Sequence, residues 1–176
     1  MIDPFETLGV EARFDLDVRA VEQRHRDLSK TLHPDRFSGA PAAERRMALG
    51  RAIDVNEAWR VVRDPIRRAE ALLRRAGVAV GESAEPAAPP SLLMEMMDVR
   101  EELAEARQAK ALDRVGVLGE TMRKREAAAI ARLGSDFQAA GGERDKTSMI
   151  LPSLGELRYI RRFLDEVAAI EEELSF

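Results

Sequence analysis

The chain has 176 residues, 45% hydrophobic and 34% charged, with a net charge of −4; this balance fits a soluble helical protein and argues against general affinity for nucleic acid. It has no cysteine and only two histidines, His25 and His33. That excludes disulfides, thiolate metal sites and cysteine nucleophiles, and leaves too few imidazoles for a metal site without carboxylate help.

No apolar run approaches the roughly 20 residues of a membrane span. The folded pattern starts at Ile2, so no targeting segment is expected ahead of it. A cytoplasmic protein without membrane contact is expected. No strand alternation and no internal repeat is visible, so the fold class expected is all-α.

Phe5 and Leu8 form an apolar turn in the opening Asp3–Val10 segment. Asp15 or Asp17 caps a helix that runs to about Leu32, with Val18, Val21, His25, Leu28 and Leu32 at helical spacing. Arg19, Arg24, Arg26 and Lys30 make this helix basic. His33-Pro34-Asp35 follows. Proline lacks an amide proton and biases its predecessor away from the α region, so the helix stops and the chain turns there. Alone, the tripeptide reads as a loop, because proline and aspartate are ordinary turn residues.

A second helix spans about Ala42 to Arg63, with Ala48, Ala52, Val55, Trp59 and Val62 on its apolar stripe. These two helices are expected antiparallel, stripe to stripe. Pro65 starts a short helix ended by Gly77. Residues 1–77 form the first expected domain. Residues 78–90, with three prolines and a glycine, read as a linker.

The second expected domain is 91–176, three helices sharing one core. Its first helix runs from an N-cap at Ser91 through about Leu92–Ala109, and its second through about Ala111–Leu133, with Leu112, Val115, Leu118 and Met122 on one stripe. A loop occupies Gly134 to Gly142, and the third helix runs to the end. Pro152 either starts that last helix or kinks it. On the first of these helices Leu92, Met96, Val99, Leu103 and Ala106 form the core stripe. Leu93, Met94 and Met97 lie off it, and Met94, Asp98, Glu101 and Glu105 make a separate line at steps of four, three and four. Periodicity alone favours a widened core face with a solvated acidic flank. A methionine-rich spot beside a row of acids also suits an adaptable protein-binding surface.

The order Asp-Pro-Phe-Glu-Thr-Leu-Gly-Val, basic helix, His-Pro-Asp, Asn56-Glu57-Ala58-Trp59, Asp64-Pro65 and Arg67-Arg68-Ala69-Glu70-Ala71-Leu72-Leu73 resembles the J domain of DnaJ-type co-chaperones over residues 2–76. With Leu93-Met94-Glu95 and Arg100-Glu101-Glu102-Leu103 after it, and Leu157-Arg158-Tyr159 in the last helix, nearly the whole chain resembles the HscB family of iron-sulfur cluster assembly co-chaperones. The resemblance implies an N-terminal J domain, an antiparallel hairpin with short flanking helices, and a C-terminal three-helix bundle.

It further implies a DnaK/HscA-type ATPase partner, stimulated by the first domain, and a scaffold protein, IscU, held by the second. His33, Pro34, Asp35, Arg24, Arg26 and Lys30 would meet the ATPase; Leu93, Met94, Met97, Asp98, Glu101, Glu105 and Tyr159 would face the scaffold. Met97 and Asp98 stand where the family often has leucine and glutamate. No cofactor is expected. The rival readings are a J-domain co-chaperone for a different client and a helical adaptor unconnected with chaperones. Enzymatic activity is not expected: His33 with Asp35 resembles a base and its orienter but lacks a nucleophile, a metal set or a third group, and no phosphate-cradling Gly-x-x-x-x-Gly-Lys loop is present.

Overall fold

The computed structural model describes residues 2–81 and 89–175. The described residues are helical, without strands. They fall into two compact units, Met1–Val78 and Ala79–Phe176. Residues 82–88 of the expected 78–90 linker lie outside the described residues, and Pro90 already belongs to the next helix.

The first unit contains α1 (Pro4–Leu8), α2 (Val18–Thr31), a 3-10 turn (Pro34–Phe37), α3 (Ala42–Arg63) and α4 (Pro65–Arg75). Its helix starts follow from its sequence. Asp3, Asp17 and Asp64 are extended residues whose carboxylates accept amide protons of the first turn of α1, α2 and α4. Gly9, with φ 63°, closes α1 in the left-handed conformation that favours glycine. Phe5, Leu8, Phe14, Val21, Val55, Ala58, Val62 and Leu73 fill the core, each large side chain gaining roughly 1.5–3 kcal/mol on leaving water. His25 and Trp59 stack across the α2–α3 seam, ring centroids 5.4 Å apart. His25 Nε2 also lies 2.9 Å from Asn56 Oδ1. The guanidinium of Arg68 is buried against the Phe14 ring, 4.8 Å from its centroid. Burial lowers its pKa against the raising influence of Asp64 and Asp15.

The second unit is built on α5 (Pro90–Gln108), α6 (Leu112–Ala140) and α8 (Leu151–Leu174), with the short α7 (Arg144–Ser148) before α8. Ion pairs give the register. Arg100–Glu166 and Arg107–Glu173 join α5 to α8 at one constant spacing of 66 residues, so these two helices run parallel. Glu95–Arg125 and Glu105–Arg114 join α5 to α6 with one number rising as the other falls, so α6 runs antiparallel to α5. Leu92, Met96, Leu103, Ala106, Val115, Met122, Phe163, Val167 and Ile170 form the shared core. At Gly119 a Cβ would lie 2.9 Å from Val167 Cγ1, so glycine lets α6 approach α8 closely.

Three sequence expectations are corrected here. Ser91 does not cap α5; Pro89 stands at the cap position and Ser91 is inside the helix. Gly134 does not end α6. Leu133 and Ala140 are both buried, and their packing carries the helix through the glycine to Ala140, where Gly141 with φ 57° terminates it. Leu112, placed on the α6 core stripe by its spacing, is exposed at the first position of the helix. Pro152 resolves in favour of a start: it sits in the first turn of α8, where its missing amide proton costs no hydrogen bond.

Candidate functional site

Two surfaces collect the residues singled out in the sequence, one on each unit. The first lies at the end of the α2–α3 hairpin. His33 is extended, with φ −60° and ψ 132°, as its position before proline requires. Pro34 opens the 3-10 turn, and Arg36 N donates to His33 O at 3.0 Å to close it. Asp35 N donates to His33 Nδ1 at 3.4 Å, and Asp35 Oδ2 is 3.5 Å from the same nitrogen. His33, Pro34 and Asp35 are all exposed, the Asp35 side chain to 90%. The turn therefore offers water a carboxylate and an imidazole on a backbone with little freedom.

The cations of α2 are not equivalent. Lys30 is exposed and makes no ion pair among the described residues. Arg26 Nη2 is paired to Glu22 at 2.5 Å one turn back. Arg24 Nε donates to the carbonyl of Leu8, the last residue of α1. Arg24 is thus a tie between α1 and α2 as well as a surface charge, because only part of its guanidinium remains for a partner. Arg36, exposed in the turn itself, adds a cation that the sequence reading did not include. Its place directly after the tripeptide was the available signal.

The second surface is on α5. The core stripe is buried as its spacing predicts, with Val99 half-buried at its edge. Leu93, Met94 and Met97 are 38%, 66% and 70% exposed. They do not widen the core, and the widened-face expectation is overturned. Asp98, Glu101 and Glu105 are exposed beside them, and Glu105 also approaches Arg114 at 3.7 Å. Tyr159 is half-buried against the core, its ring 4.9 Å from the Arg162 guanidinium. The 66-residue spacing of the α5–α8 ion pairs brings Tyr159 level with Leu93. Tyr159 thus lies level with the start of the methionine patch, whereas the acids run on along α5 to Glu105, near the helix's other end.

Below this face the bundle is held by charge. Arg125 reaches both Glu95 and Glu156, Arg132 reaches Glu156, and Arg161 Nε donates to Glu126 at 2.7 Å. Burial alone would raise the Glu156 carboxyl, but the hydrogen bonds from Arg132 and Arg125 outweigh it and hold the pKa below the usual 4.5. No group of histidine and carboxylate side chains suited to a metal ion occurs among the described residues. No helix among them is long and apolar enough to cross a membrane.

Residues 88–168 match the family model described as the HSCB C-terminal oligomerisation domain. A co-chaperone protein HscB homolog of Burkholderia multivorans is 32% identical over 97% of this chain and 94% of its own length. One from Cupriavidus taiwanensis is 38% identical over 80% of this chain and 82% of its own. Among solved structures, the chaperone HscB from Vibrio cholerae superposes with a TM-score of 0.80 at 28% identity, covering 98% of this chain and 99% of that one. Human co-chaperone protein HscB superposes with a TM-score of 0.82 at 21% identity, covering 96% of this chain and 82% of that one, a likeness of fold.

Proposed function

The chain belongs to the HscB family of co-chaperones, and from that premise we propose that it stimulates the ATPase of a DnaK/HscA-type chaperone and delivers to it the iron-sulfur scaffold protein IscU, so aiding cluster assembly and transfer. The turn formed by His33, Pro34 and Asp35 is the part of the first unit that docks on the ATPase, with Lys30, Arg26 and the free part of Arg24 steering the approach. Leu93, Met94, Met97, Asp98, Glu101, Glu105 and Tyr159 receive the scaffold. The protein acts by binding and performs no bond chemistry itself, in the compartment where its partners work, the cytoplasm.

One observation carries this reading: an exposed, proline-fixed imidazole and carboxylate on one compact unit, and an exposed apolar face rimmed by acids on the other. The physics suits both tasks. A carboxylate on a stiff turn accepts a charge-assisted hydrogen bond from a partner's guanidinium with little loss of entropy. Basic side chains on α2 raise the encounter rate with an acidic surface. Thioethers adapt to an apolar partner surface, and the acids beside them select for basic neighbours. Stimulation is then a shift of the ATPase toward its hydrolysis-competent state, driven by tighter binding to that state.

The test uses purified chaperone and scaffold with the full chain. Wild type should accelerate ATP turnover, more so with scaffold present. Asp35→Asn should lose that acceleration and still bind the scaffold, whereas Met94→Ala with Met97→Ala should lose scaffold binding and keep the basal acceleration. A wild-type chain that leaves turnover unchanged with and without scaffold ends the proposal. Acceleration without scaffold binding would assign the second unit to another client.

A further inference from the structure

Three times in the first unit the chain starts a helical segment by placing a polar residue before proline: Asp3-Pro4, His33-Pro34 and Asp64-Pro65. The three residues share one backbone conformation, with φ −72°, −60° and −88° and ψ 119°, 132° and 123°. In each case proline fills the first position and offers no amide proton, so the amides after it are the ones left to satisfy. Asp3 Oδ1 accepts from Phe5 N at 2.8 Å and from Glu6 N at 3.2 Å. Asp64 Oδ1 accepts from Arg67 N at 2.9 Å. His33 Nδ1 accepts from Asp35 N at 3.4 Å. The δ1 atom of an imidazole here occupies the place taken elsewhere by the δ1 oxygen of a carboxylate.

We propose that His33 serves the stimulation described above as a positioning residue: through Nδ1 it caps the 3-10 turn and fixes Asp35, which makes the contact with the ATPase. This rests on the reading that the turn meets a DnaK/HscA-type partner. The geometry has a chemical consequence. A nitrogen that accepts an amide proton carries none itself, so the ring is the neutral tautomer with its proton on Nε2. Asp35 is the residue held by this arrangement, because its own backbone amide is the donor. An aspartate at position 33 would cap the turn equally well, as at positions 3 and 64, but it would set a second negative charge beside Asp35 and change what the partner's cation meets. A neutral cap keeps Asp35 the single anion of the turn.

Two amide side chains separate capping from contact. Asparagine carries an acceptor at the δ1 position and nothing at the ε2 position. Glutamine reaches the ε2 position and offers nothing at δ1. If the cap is the role, His33→Asn keeps stimulation within about twofold of wild type. His33→Gln and His33→Ala then lose it by at least about fivefold, the scale of one lost N-cap. If contact through Nε2 is the role, the order reverses. Nitrogen-resolved NMR of the free chain supplies a readout that a passive structural role would not predict. The His33 ring should show an unprotonated Nδ1 and a protonated Nε2, and the Asp35 amide signal should hold its position in His33→Asn and move in His33→Gln. A dominant Nδ1–H tautomer, or His33→Asn as weak as His33→Gln beside an active wild type, overturns the inference. An inactive wild type instead removes the functional reading on which it rests.

Discussion

Arg24 and Lys30 show how the same charge on the same helix acquires different work. Both are exposed on α2, and the sequence alone puts both on one basic surface. Arg24 alone reaches back sixteen residues to the carbonyl of Leu8, at the end of α1. Arg24→Ala should therefore cost both stability, by about 1 kcal/mol for a partly exposed charged hydrogen bond, and affinity for the ATPase. Lys30→Ala should leave stability within about 0.5 kcal/mol and slow association, with a weaker dependence on salt. Urea unfolding beside association kinetics at two ionic strengths reads both. An equal loss of stability in the two variants would remove the distinction. No pattern in the sequence reveals the tie, because a carbonyl is present at every residue and only the packing of α1 on α2 selects this one. His33 is similar: the tripeptide is legible as a motif, whereas the capping role of Nδ1 emerges only beside Asp3 and Asp64.

Helix α5 was the most legible element. Steps of four, three, four and three placed Leu92, Met96, Val99, Leu103 and Ala106 on the core, and the structure buries that stripe. The same spacing left two fates open for Leu93, Met94 and Met97, since residues one position off a stripe lie about 100° around the helix and a third helix can cover them or leave them bare. Exposure of the two methionines decides it. Met94→Ala with Met97→Ala should thus change stability by less than about 0.5 kcal/mol each, whereas Leu103→Ala, fully buried, should cost about 2–5 kcal/mol. Thermal melts of the three proteins check this, and a large loss in the methionine variant would return those side chains to the core. Helix α6 was less legible. Gly134 reads as punctuation, yet burial of Leu133 and Ala140 outweighs the roughly 1 kcal/mol that glycine costs inside a helix. Local propensity is a weak guide where apolar side chains on both sides of a glycine find the same core. Pro152 illustrates the converse, since only the observed helix start distinguishes a first-turn proline from a kink.

At the scale of the molecule, each compact unit has a core of its own, and the ion pairs linking helices in the second unit make that unit sensitive to acid. Glu156 is the joint: it lies between Arg125 and Arg132 on α6, only partly open to water, and Arg125 also reaches Glu95 on α5. Its carboxyl is held below its ordinary value of 4.5 despite the opposing effect of burial. In the unfolded chain that restraint is gone, so the unfolded state takes up a proton first as pH falls. The stabilisation from Glu156 is then complete above the unfolded value, and it is lost as pH falls through the depressed folded value. Glu156→Gln keeps the shape and removes the charge. At neutral pH it should lower the stability of the second unit by about 1–2 kcal/mol, the scale of a charged hydrogen bond less the screening of a partly exposed site. As pH falls below the ordinary 4.5 the difference from wild type should shrink, because the unfolded wild-type chain then takes up a proton that the folded carboxyl resists. Helicity melts at pH 7 and at steps from 5 down to 3 give both curves. Parallel curves across that range would mean that the network contributes through shape alone, and that the charge of Glu156 is incidental to how α5, α6 and α8 are held together.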